Sequence, residues 1–174
     1  MRAKAAQLNV VARMIAGRTA LGTNRQVFLV SLGGFDNHDK LLTDQNTNLG
    51  QVSAAMGAFD AAMQTLSLGD AVTVFTESDF SRTNQPNTSV GSDHAWGSHH
   101  MILGGAVKGG DIYGRMPTLT INGPDDTSQG RWIPSTSVDE YSATLARWFG
   151  VSASNLSVAF PNLGRFANPN LGFV

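Results

Sequence analysis

Apolar residues at Ala3, Ala6, Leu8, Val10, Val11, Met14 and Ile15 recur at near-helical spacing, and Gly17 follows as a stop. This spacing predicts an N-terminal helix. Residues 26–32 (QVFLVSL) form a short apolar run rich in β-formers, bounded by Asn24 and by Gly33-Gly34. The run reads as a buried strand. Across residues 49–68 the apolar positions 52, 55, 56, 59, 62, 63 and 66 predict an amphipathic helix ended by Gly69-Asp70. Residues 71–75 (AVTVF) then read as a second buried strand. Strand, helix, strand in this order is the signature of a parallel βαβ unit.

A polar, aperiodic stretch occupies residues 76–100. It is longer than a connector requires, and such loops are commonly functional. Residues 101–103 and 119–121 are strand-like, with glycine pairs and a turn at Asn122-Gly123-Pro124 between or after them. Ser137-Val138-Asp139-Glu140 has the form of a capping box, and Tyr141, Leu145, Trp148 and Phe149 continue it with helical spacing up to Gly150. From Val151 the tail, with Pro161 and Pro169, is expected to pack as loops with one short strand or turn. No repeat or low-complexity linker interrupts the chain, so residues 1–174 are expected to form one α/β domain, a mostly parallel sheet with flanking helices.

Composition narrows the function. Charged residues make up 14% of 174, with a formal net charge of -1, so no global field points to nucleic acid or an anionic membrane. Cysteine is absent, which excludes disulfides and thiolate metal sites. No apolar run reaches the ~20 residues of a membrane span, and the N-terminal segment lacks the continuous apolar core of a signal peptide.

Candidate chemistry gathers just after the expected strands. Asp36 and His38 follow the first one, and a spacing of two in an extended segment puts both side chains on one face. A carboxylate with an imidazole suits zinc and similar divalent metals. The structural alternative is a turn-capping Asp36 beside a surface His38. Glu77, Asp79 and Arg82 follow the second strand, where Arg82 can grip an anionic group or pair with either acid. Asp93 and His94 then precede His99 and His100, so three of the chain's four histidines stand in one short stretch. His99 and His100 can equally flank a strand or orient ligands from behind. Asn87-Thr88-Ser89 and Asn155-Leu156-Ser157 match the glycosylation triplet, a pattern common by chance.

Three motifs in order carry a family resemblance: LGGFDNH (32–38), VFTESDFSRT (74–83) and GSDHAWGSHH (91–100). VKGGDIYG (107–114) and the segment from Trp132 through Trp148 to Pro161 follow in the same order. The chain resembles the bacterial family of unknown function numbered fifteen-oh-one, which looks like a branch of the alkaline phosphatase and sulfatase superfamily. The resemblance implies the C-terminal half of such a fold, since members are about twice this length. It also implies twin-arginine export to a periplasmic or extracellular destination. By the same resemblance, Asp36 and His38 correspond to an acid-and-histidine ligand pair, and Glu77 or Asp79 to a strand-end acid. His94 matches a final histidine, or Asp93-His94 an Asp-His pair. The expected site is therefore a divalent-metal centre (zinc, calcium or magnesium) of Asp36, His38, Glu77, Asp79, Asp93 and His94, with Arg82 as the catalytic anion clamp. Such a centre would hydrolyse phosphate or sulfate esters only when a nucleophile from the other half is supplied. The alternative is a non-catalytic exported or surface-assembly protein that keeps the fold. Half of an open sheet would expose an apolar edge, so self-association or a complementing chain is expected.

Overall fold

The computed structural model describes residues 2–174, with side chains described from residue 6 onward. Its chain divides into two compact units. The first comprises Met1–Glu77, Thr83–Asp93 and His100–Ala106, and the second Ser78–Arg82, His94–His99 and Val107–Val174.

In the first unit the helical spacing at the N-terminus becomes α1 (Arg2–Ala16), followed by the single turn α2 (Arg18–Leu21), which closes on a left-handed Gly22. The long helix α3 (Leu41–Thr65) packs against α1. Val11, Ile15, Phe59 and Met63 are buried together between them, with Leu8, Phe28, Leu68, Val72 and Val74 at the margin. Each such side chain contributes about 1.5–3 kcal/mol by leaving water. α3 begins eight residues before the predicted start. A 3-10 turn (Gly69–Ala71) leads to β1 (Val74–Phe75), which pairs antiparallel with β4 (Ile102–Leu103).

The expected parallel sheet does not form. The described residues hold two antiparallel sheets of two strands each, β1 with β4 and β2 (Ser81–Arg82) with β3 (His94–Ala95). Residues 26–32 form no strand. Only Phe28 reaches the α1–α3 core, while Val27 is 77% and Leu29 94% exposed. No strand lies beside the run. Instead the Gln7 side chain takes a partner's place on α1: Ser31 N–H donates to its Oε1 at 3.1 Å, and its Nε2 donates to Ser31 O at 3.3 Å. One amide side chain satisfies one residue, so the β-forming run never enters a ladder. The half-sheet edge expected from the sequence is likewise absent. Exposed large apolar side chains are instead spread along the chain, Val27, Leu29, Leu42, Ile112 and Val158 among them.

In the second unit the capping box forms as read. Ser137 Oγ accepts from Glu140 N at 3.1 Å, Glu140 Oε2 accepts from Ser137 N at 2.9 Å, and α4 (Val138–Phe149) closes on a left-handed Gly150. The tail folds more than expected, into α5 (Ala153–Ala159) and a 3-10 turn (Leu163–Arg165). Ala143, Leu156 and Leu163 form its buried cluster. Phe173 is buried against Tyr113 and Tyr141, and Lys108 N–H donates to its carbonyl at 2.8 Å.

The predicted turn at Asn122 is organised by one carboxylate. Asp126 Oδ2 accepts from Asn122 N at 2.8 Å, and Oδ1 from Ser128, Gly130 and Arg131 N at 2.8, 2.9 and 3.0 Å. This holds Ser128, Gln129 and Gly130 in positive-φ conformations. Partial burial opposes the charge of Asp126, but the four N–H donors outweigh it and bring its pKa below the usual 3.8. A depressed pKa stabilises the folded loop above the unfolded value, and that contribution is lost as pH falls through the folded value. Acidification below pH 3.8 should therefore open the loop around Trp132, which bridges Asp126. Trp132 fluorescence followed down the pH scale checks this, and Asp126→Ala should lack the transition.

Candidate metal centre

The loop before α3 is shaped by two residues. Gly34, at φ 96, turns the chain, and its carbonyl accepts from the side-chain amides of Asn48 and Asn37. Residues 36, 37 and 38 then alternate exposed, buried, exposed. Asp36 and His38 share the outer face, as their spacing predicts. Asn37 points inward at 6% exposure, and its Oδ1 is a buried acceptor with no hydrogen-bond partner.

A second loop lies against the first. Leu41 N–H donates to Val90 O and Ser92 N–H to Asn37 O, both at 3.2 Å, and Asp39 bridges Val90. Gly91 lies so close that a Cβ there would sit inside contact distance of the His38 carbonyl group and 2.6 Å from Asp39 N. Buried Thr83 fixes the end of this loop, because its N–H donates to Asp93 O at 2.8 Å and its Oγ1 accepts from Asp93 N at 3.0 Å.

The result is an imidazole between two carboxylates. His38 Nε2 lies 3.0 Å from Asp36 Oδ1, and His38 Nδ1 lies 3.4 Å from Asp93 Oδ1. The three side chains are 44–56% exposed, so as plain ion pairs they add little stability. Their value is geometric. Two ligands on a tetrahedral zinc at ~2.0–2.1 Å stand ~3.3 Å apart, close to the Asp36–His38 separation. A carboxylate on the other ring nitrogen is the usual device for fixing the tautomer of a ligating histidine. Asp36 and His38 thus fit a cation, and Asp93 fits the orienting role. Without a metal, the same trio is an imidazole held between two acids.

The other expected residues lie in short loops and strands of one unit or the other. Glu77 is exposed in the first unit, and Asp79 is exposed in the second. Among the described residues neither joins a group of three or more acid or imidazole ligands, and the same holds for His99 and His100. Arg82 and His94 are register partners in the second unit. The His94 ring stacks on Phe80 at 4.0 Å, its carbonyl accepts from Arg131 Nε at 3.0 Å, and the Arg82 guanidinium lies 5.9 Å from the Phe80 ring centre. Sequence reasoning missed Asn37, Thr83, Asn87 and Gly91. Asn87 with Ser89 two residues on has the form of an Asx-turn, which is the signal that could have found it.

Residues 1–158 match the family described as a protein of unknown function, DUF1501. The chain belongs to that family. No curated protein and no solved structure matches it. Asp36, His38 and Asp93 all lie within the matched residues.

Proposed function

We propose that this DUF1501 chain binds a divalent cation through Asp36 and His38. Asp93 orients the imidazole. The 3.0 Å approach of Asp36 Oδ1 to His38 Nε2 carries this reading, because it is a separation that two ligands of one small cation adopt. An imidazole in the set favours zinc or a similar transition ion over calcium and magnesium, which prefer all-oxygen shells. When bound, such a cation supplies a Lewis acid able to neutralise an oxyanion. Ester hydrolysis, which the resemblance implies, needs a nucleophile as well. The separation of Asp36 and His38 speaks to binding alone, so the reading is a cation-binding centre.

The test is metal analysis of protein purified without chelator. Bound metal should fall by about an order of magnitude or more in Asp36→Ala and in His38→Ala, as expected when a ligand is removed. Asp93→Asn should weaken binding less, by about tenfold, as orienting partners do. Unchanged metal content in Asp36→Ala and His38→Ala would reject the centre and leave an imidazole held between two acids.

A further inference from the structure

We propose that Asn87 is the positioning residue of this centre, clasping the loop that carries His38 to the loop that carries Asp93. Its side-chain amide uses its full hydrogen-bonding capacity in four directions. Oδ1 accepts from Ser89 N at 2.9 Å and from Gly91 N at 3.1 Å, which folds its own loop. Nδ2 donates to His38 O at 3.0 Å and to Asp93 Oδ1 at 3.4 Å. The Asp93 oxygen is the one that faces His38 Nδ1. One half of the amide therefore makes the turn, and the other half reaches both the backbone of the histidine and the carboxylate that orients its ring. The effect on zinc rests on the cation-binding reading, whereas the effect on the loops does not.

Two variants separate the halves. Asn87→Ala removes all four bonds. Asn87→Asp keeps both acceptor bonds and loses both donations. It also adds a negative charge, which by itself would tighten a cation, so weaker binding isolates the lost donation. In the metal-free whole chain, the Leu41 and Ser92 amides, which bond across the two loops, should exchange at least about tenfold faster in both variants. The Ser89 and Gly91 amides should speed up only in Asn87→Ala. The Phe59 and Met63 amides in α3 should hold their rates and report an intact fold. Zinc should bind about 10–100-fold more weakly in both variants. If Asn87→Ala does not fold, Asn87→Asp decides alone. Wild-type exchange at Leu41 and Ser92 in Asn87→Asp would overturn the proposal, leaving a turn residue. Faster exchange with unchanged zinc affinity, in a chain whose zinc is lost on Asp36→Ala, would also overturn it. If zinc is indifferent to Asp36→Ala while the amides respond as expected, the clasp stands and the cation-binding reading fails.

Discussion

Gly91→Ala should abolish metal binding while leaving the second unit folded. A Cβ at position 91 falls on the His38 carbonyl group and lies 2.6 Å from Asp39 N. These are backbone atoms, not the far end of a flexible side chain, so one of the two loops must move. The movement pulls on Asn37 O, Val90 O and Asn87 at once, because Ser92, Leu41 and Gly91 donate to them. Overpacking of this kind costs about 1–3 kcal/mol, and a displacement of an ångström suffices to spoil a metal site. Zinc titration followed by calorimetry should show no binding in the range where the wild type saturates. Trp96, Trp132 and Trp148 all belong to the second unit, so unchanged tryptophan fluorescence would show that the loss is local. Wild-type zinc affinity in Gly91→Ala would mean that the loop contact does not hold the site.

Signals that act within one element are legible in this sequence, and pairings across the chain are not. The helix α4 was legible because its cap, Ser137 with Glu140, and its stop, Gly150, act within the element itself. The first turns of α3 were not, since Asn46, Thr47, Asn48 and Gly50 are weak helix formers with no apolar period. Their start is set instead by a tertiary bond, Leu41 N–H to Val90 O. Residues 26–32 carry real β-propensity, but propensity does not supply a neighbouring strand, and Gln7 took that position. Element order suggests a parallel sheet, but residues 26–32 find no strand and β1 pairs antiparallel with β4, a partner that order alone does not reveal. In the site, Asp36 and His38 were legible because a spacing of two is enough to align them. Asp93 is legible as an acid in the histidine-rich stretch, but its 3.4 Å approach to His38 Nδ1 joins two separate loops and is not. Asn87 was illegible in that role because its bond to His38 O spans 49 positions in sequence.

Glu140→Ala should unfold the second unit at markedly lower denaturant while sparing the first. Glu140 is 7% exposed, and its carboxylate joins three segments. Oε2 accepts from Ser137 N and from Ser137 Oγ, at 2.9 and 3.0 Å, closing the cap of α4. Oε1 accepts from Asn168 N at 3.2 Å, fastening the tail. One turn further along α4, buried Thr144 repeats the pattern. Its Oγ1 donates to Glu140 O and accepts from Leu171 N, both at 2.8 Å. The two residues thus hold the strand-less tail against α4 and carry Phe173 into its aromatic contacts with Tyr113 and Tyr141. Alanine removes the Glu140 half of the capping box, while Ser137 Oγ still accepts from the backbone N–H of residue 140, and it leaves the Ser137 and Asn168 amides without their acceptors, at about 1–3 kcal/mol where such groups stay dry. The expected loss is about 2–4 kcal/mol. Thr144→Val, which keeps the volume and removes one hydroxyl, should cost about 1–2 kcal/mol. Because these two residues share the tail, the double variant should cost less than the sum. Urea unfolding followed by tryptophan fluorescence reads the second unit alone. A Glu140→Ala midpoint equal to wild type would show that the tail is held by Phe173 packing and not by the buried carboxylate.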